Sequence, residues 1–195
     1  MDTKTKEKLL NQLQKHSWKI LFDADHAPIL TPFARGDWRV ANGLLYTGTD
    51  SVDIYGVLGV GGEFEIVVDP SVTGAEITVL RNDDPYNLPE IRGTKIIILK
   101  DGSLSILRSM DNESVDVSPK TIDVSRPLII SIFVLMREVF DPAYITVKIN
   151  GSVIAEFKDN LIWGYLSLNG GIYYSIKHRP LFISEEEKKS YLRET

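Results

Sequence analysis

The 195-residue chain has no cysteine. Disulfide frameworks, thiolate metal sites and cysteine nucleophiles are therefore excluded, and the redox compartment stays open. Alanine is scarce as well, 7 residues against 21 isoleucines, 20 leucines and 15 valines. That balance favours half-buried pleated surfaces over helices. Long hydrophobic runs are missing: the longest, Leu128 to Met136, has nine residues and includes a serine. A membrane-spanning helix needs roughly 20, so no membrane span is expected and the run reads as a buried strand. A basic block is missing too. With 22 Lys+Arg against 27 Asp+Glu the formal charge is −5, the opposite of the clustered positive footprint of a nucleic-acid binder. The first sixteen residues carry charge throughout, with neither an apolar segment nor a small-residue cleavage site. No secretory signal is read there, and the expectation is an intracellular or particle-associated setting.

Several catalytic signatures are also missing. There is no Gly-x-Ser-x-Gly elbow for a Ser-His-Asp hydrolase and no phosphate-binding loop. The glycine-rich run Gly56 to Gly62 precedes a strand, where a phosphate cradle requires a helix N-terminus, and it reads as a loop or bulge. His16, His26 and His178 are far apart and form no metal-ligand phrase, so zinc is not expected.

What the sequence does contain is mostly strand. Residues 3–15 form an amphipathic helix with Leu9, Leu10 and Leu13 on one stripe. After Trp18 come short apolar runs separated by Gly, Asp, Asn and Pro. Near the end, Ser184 followed by three glutamates and then Lys188, Lys189 and Arg193 has the polarity of a short helix over 184–193. The expected partition is a helical tail at 1–15, a sandwich at 16–183 and a second helical tail at 184–195. The core strands lie near 38–47, 63–69, 74–81, 95–108, 128–136, 144–158 and 161–177. The fold class is all-β, a two-sheet antiparallel sandwich of jelly-roll type with short peripheral helices.

Hairpin registers follow from turn chemistry and apolar alternation. A two-residue turn at Asp101-Gly102 pairs Leu99 with Leu104 and Ile97 with Ile106. A three-residue turn at Asn150 to Ser152 pairs Ile149 with Val153, Val147 with Ala155 and Ile145 with Phe157. A three-residue turn at Asn169 to Gly171 pairs Leu168 with Ile172, leaving Trp163, Tyr165, Ser167, Tyr173 and Ser175 on the opposite face.

Several segments together resemble the concanavalin A-like lectin/glucanase superfamily, and within it the laminin-G-like and 3-keto-disaccharide-hydrolase-like jelly rolls. They are Ile20 to Asp25 with Gly36-Asp37-Trp38-Arg39-Val40-Ala41-Asn42-Gly43-Leu44-Leu45; Gly62 to Val68; Gly74 to Arg81; Ile145 to Ala155 with its Asn-Gly turn; and Gly164 to Leu168. The resemblance covers about residues 18–183. It implies a jelly roll whose members act as lectins, structural modules or glucanases.

Three groups of residues carry candidate chemistry. Glu63 and Glu65 alternate along one strand face, which sets their carboxylates roughly 7 Å apart, the spacing glycosidases use. The glucanases that the resemblance brings in carry Glu-x-Asp-x-(x)-Glu on such a strand, whereas this chain reads Glu63 to Asp69 with Glu in the middle and Asp last. Trp163, Tyr165 and Tyr173 offer flat rings with polar edges of the kind that sugars and protein partners stack on; the competing reading is that they fill a core. Asp23, Asp25, Asp83 and Asp84 are hard oxygen ligands, and jelly rolls of this group often hold a structural calcium; as turn formers they need none. No cofactor is otherwise required. The expectation is a non-catalytic recognition or structural module for a glycan or protein partner, within an assembly such as a virion. The alternative is a glycoside hydrolase using Glu63 and Glu65. A helix docked on a neighbouring copy, or an unpaired edge strand, offers a route to a homo-oligomer.

Overall fold

The computed structural model describes residues 1–30, 36–48, 52–57, 61–82, 92–109, 112–138, 141–160 and 164–181. The expected helix at 184–193, Trp163, Asp83 and Asp84 lie outside them. The chain opens with helix α1, Thr3–Leu13. Asp2 caps it, accepting from the Thr5 amide at 2.9 Å. Leu9 and Leu13 are buried, so α1 packs the expected leucine stripe against the core cluster while its other residues stay partly or fully exposed. It is moored by Lys6 to Glu156 at 2.5 Å, by Gln12 donating to the Leu181 carbonyl at 3.2 Å, and by Arg137 to Asp2 at 3.4 Å.

Thirteen strands follow among the described residues: β1 (Lys19–Phe22), β2 (Trp38–Ala41), β3 (Leu44–Thr47), β4 (Val52–Val57), β5 (Gly62–Asp69), β6 (Ala75–Asn82), β7 (Arg92–Ile98), β8 (Leu104–Leu107), β9 (Leu128–Leu135), β10 (Ala143–Ile149), β11 (Ser152–Asp159), β12 (Gly164–Gly170) and β13 (Ile172–Pro180). Every pairing is antiparallel. A large sheet runs β11-β10-β9-β5-β13-β3-β2, with β1 also on β13, and a small sheet runs β4-β12-β6-β7-β8. Alternate residues of each sheet point at the other: Phe64, Ile66, Val68, Ile130, Ile132 and Val134 from the large sheet, Ile77, Val79, Ile96, Ile98, Leu166 and Leu168 from the small one, all fully buried in one core. This is the two-sheet sandwich expected, with β1 and β4 added to it. Gly56 and Val57 lie in β4, so the glycine-rich run is part strand.

The three hairpins depart from the expected registers to different extents, each for a physical reason. In the β7–β8 hairpin Ile98 faces Leu104 and Ile96 faces Ile106, one residue off the expected register. The turn is Lys100-Asp101-Gly102, closed by Leu99 N–H to Ser103 O at 2.9 Å, with Gly102 at φ 86°. Ile96 to Leu99 are all apolar, so alternation could not choose between the two faces, and Leu99 ends half exposed. In the β10–β11 hairpin the turn is the two-residue Asn150-Gly151, at φ 50° and 83°. A bulge beyond Val147 then restores Val147 opposite Ala155 and Ile145 opposite Phe157, as expected. The bulge explains why the adjacent Ile154 and Ala155 are both buried.

The third hairpin does not exist. β12 pairs with β4 and β6 in the small sheet, and β13 with β1, β3 and β5 in the large one. The chain crosses from sheet to sheet at Gly170 and Gly171, both at positive φ (68° and 86°). Alternation fails here because the inner faces of both sheets point at the same core, so a crossing and a hairpin give the same apolar pattern.

Candidate functional site

The crossing separates the aromatic row. Tyr173 lies opposite Val68 and Leu45, points inward and is fully buried. Burial pushes its phenol above the ordinary range. It offers no face to a ligand, which corrects its expected role. Tyr165 is half-buried in the small sheet, on the side away from the core.

Glu63 and Glu65 do share the outer face of the large sheet, on β5 opposite Arg179 and Lys177 of β13. The Glu63 carboxylate is ion-paired with the Arg179 guanidinium, which stacks 4.6 Å from the Trp18 ring. Glu65 meets Lys177 at 3.3 Å. With Glu63 only 6% exposed, the pair ties β5 to β13. The Asp23 carboxylate is also engaged: Oδ1 accepts from the Asp25 and His26 amides at 2.9 Å and meets His26 Nδ1 at 2.7 Å. Desolvation raises its pKa, but the bonds to His26 and to the Asp25 amide outweigh that and leave it below the usual carboxylate range. Among the described residues no three His, Asp or Glu side chains are grouped so as to hold a metal ion.

The outer face of the small sheet is built differently. β6 places Glu76 and Thr78 on it, β7 places Lys95 and Ile97, and β12 places Tyr165, Ser167 and Asn169; Thr78 lies opposite both Ser167 and Lys95, and Glu76 opposite Asn169 and Ile97. Near Leu80, at φ 53°, β6 bulges. The bulge puts Arg81 opposite Tyr165, and its guanidinium donates to Ser167 Oγ at 2.9 Å. Bulges re-aim side chains in this way. Gly164 makes room for it: a Cβ there would collide with the Leu80 and Arg81 backbone. Thr78, Arg81 and Ser167 are all buried, and Glu76 pairs with Lys95 at 3.3 Å.

At the crossing end this face runs into a cleft of about 300 Å³ lined by Thr47, Thr73, Glu76, Ile97, Leu99 and Asn169. Its walls are fixed by Thr47 Oγ1 donating to Gly170 O at 2.7 Å, by Gly171 N–H donating to Thr73 Oγ1 at 2.8 Å, and by Gly170 N–H donating to Gly48 O at 2.9 Å. Polar side chains held on a rigid sheet, with Tyr165, Ile97 and Leu99 as apolar surfaces, suit the orientation of a neutral polar ligand. Of these residues the sequence reading singled out Tyr165 and placed Ser167 beside it. Arg81, Glu76, Thr78, Lys95 and Asn169 were missed, because the bulge that turns Arg81 outward has no periodic signal. The break in alternation from Thr78 to Arg81 was the available clue.

No family model matches the chain, and no curated protein matches it. Solved structures do. The carbohydrate recognition domain of Emp47p superposes with a TM-score of 0.54 at 13% identity, over 83% of this chain and 94% of that one. A putative glycosyl hydrolase from Parabacteroides distasonis gives 0.53 at 14%, over 84% and 98%. A β-1,3-1,4-glucanase (lichenase) from a mouse hindgut metagenome gives 0.50 at 10%, over 84% and 92%. The chain has the concanavalin A-like jelly-roll fold.

Proposed function

We propose that this protein is a non-catalytic carbohydrate-recognition module that binds a neutral glycan on the outer face of its small sheet. The observation that carries the reading is the face itself: Tyr165, Glu76, Lys95 and Asn169 are part-exposed on paired strands, braced by the buried Thr78 and the buried Arg81–Ser167 pair, and the face ends in the cleft of about 300 Å³. Sugars present hydroxyls in fixed directions and a flat C–H surface. This face offers side-chain donors and acceptors at fixed positions and one half-buried ring to stack on.

Structural likeness favours neither recognition nor hydrolysis, since its neighbours include a carbohydrate recognition domain and hydrolases. The carboxylates favour recognition. Glu63 and Glu65 are each held by a cation, on the opposite side of the sandwich from the polar face. A glycan array with and without calcium tests the reading, with wild type beside Tyr165→Ala and Asn169→Ala and with Tyr174→Ala on the other sheet as control. The expected result is binding reduced about tenfold to a hundredfold in Tyr165→Ala, the scale of an aromatic anchor, and unchanged in the control. A wild type that binds no glycan in either condition rejects the proposal. Release of reducing ends that stops in Glu63→Gln replaces it with the hydrolase.

A further inference from the structure

The outer face of the large sheet holds a second cleft, of about 260 Å³, lined by Lys6, Tyr144, Thr146, Glu156, Phe157 and Lys158. Outward residues of β10 form its floor: Tyr144 lies opposite Lys158, and Thr146 opposite Glu156 on β11 and Phe133 on β9. α1 supplies a wall through Lys6, which binds Glu156 at 2.5 Å. The Thr146 hydroxyl donates to the same carboxylate at 3.1 Å. Lys6 first, and Thr146 after it, hold Glu156 below the ordinary carboxylate range. Its negative charge is thus already satisfied.

The other two lysines rest on aromatic rings. Lys158 Nζ lies 4.9 Å from the Tyr144 ring centre and Lys148 Nζ 5.1 Å from that of Phe133. Among the described residues neither lies within salt-bridge distance of a carboxylate. Lys158, and after it the chain's N-terminal ammonium, hold the Tyr144 phenol below its ordinary range. On a chain of net charge −5, Lys6 and Lys158 in the cleft, Lys148 on the same face of β10, and one satisfied glutamate make a locally positive surface. The strand amides of β10 are taken up by β9 and β11, so recognition falls to side chains.

We infer that this cleft binds a uronate sugar, its carboxylate held by Lys158 and the Tyr144 hydroxyl. Tyr144 and Lys158 lie directly opposite each other on β10 and β11 and both line the cleft, so one carboxylate can reach both. Cations lying on rings can take up an anion without first breaking a salt bridge. The site is separate from the small-sheet face and stands whether or not that face binds glycans.

The test is a titration of the full chain with glucuronate, followed by backbone amide NMR, beside glucose, inorganic sulfate and inorganic phosphate. The expected result is that glucuronate moves resonances of residues 143–158 while glucose does not. Affinity should fall with added salt and drop about tenfold or more in both Lys158→Gln and Tyr144→Phe, the scale of one charge-assisted hydrogen bond. Asn169→Ala on the small sheet should leave it unchanged. Sulfate or phosphate binding as tightly as glucuronate overturns the uronate assignment, and glucuronate shifts absent from residues 143–158 overturn the site.

Discussion

Replacing His178 with leucine should remove most of the protein's loss of stability between pH 7 and pH 5. The imidazole is 1% exposed and stacks on Phe64 with ring centres 4.5 Å apart, in a β13–β5 pair where Phe64 is its direct partner. Burial, with Lys19 nearby on β1, lowers its pKa from 6.5 to about 3. In the unfolded chain the ring takes up a proton as pH falls through 6.5, while in the folded chain it stays neutral until about pH 3. The stabilisation is therefore fully present above pH 6.5 and drains away below it. At about 1.4 kcal/mol per pH unit the loss is about 2 kcal/mol by pH 5, and about 4 to 5 kcal/mol at its limit. For a domain of this size, 2 kcal/mol corresponds to a fall in Tm of about 4 to 8 °C. The carboxylates of Asp2, Asp23, Asp101, Asp123 and Glu156 are all held below their ordinary range. Their shifts act at lower pH, below the interval from 7 to 5. Urea melts of wild type and His178→Leu across that interval give the comparison, which lies in the slopes and not in the absolute stabilities. Parallel slopes would refute the reasoning and mean that the ring is hydrated or protonated in the folded state.

Two further predictions concern the core. Asp159 is buried at the end of β11, and its Oδ2 accepts from the Thr94 hydroxyl and the Ser109 amide, both at 2.7 Å, linking the large sheet to β7 of the small one. Asp159→Ala strands both donors and should cost about 3 kcal/mol, with Asp159→Asn losing less, as read from denaturant midpoints; a loss under about 1 kcal/mol would mean that water replaces the link. The Tyr173 hydroxyl is buried with no hydrogen-bond partner among the described residues, so Tyr173→Phe should be neutral or stabilise by up to about 1 kcal/mol and leave glycan binding untouched. A binding defect in a folded Tyr173→Phe protein would restore the ring to a ligand site.

The sandwich was legible because period-2 alternation and Gly, Asn and Asp turns are local signals, present in β5, β6, β9 and the β10–β11 hairpin. The sheet to which each strand belongs was not. The run from Leu166 to Ile176 is equally apolar whether it folds back on itself or crosses the core, and its misreading carried Tyr173 out to a surface that it does not reach. The site was legible in part for a related reason. Tyr165 stood out as an aromatic in an outward row, whereas Arg81 is brought opposite it by a bulge whose cause, the bare Gly164 backbone packed on Leu80 and Arg81, comes from a strand 83 residues later in the chain. Glu63 and Glu65 were correctly placed on one face. Their partners Lys177 and Arg179 come from β13, and only the strand order reveals them.

The central claim is that this jelly roll recognises a glycan on the outer face of its small sheet without cleaving it. Its most direct test is to titrate the strongest oligosaccharide from the array into the protein, follow the backbone amides, and assay the same sample for new reducing ends. Resonance changes confined to β6, β7, β12 and the cleft beside Asn169, with the oligosaccharide intact, are the predicted result. Changes centred on Glu63 and Glu65 of β5, accompanied by cleavage, would contradict it.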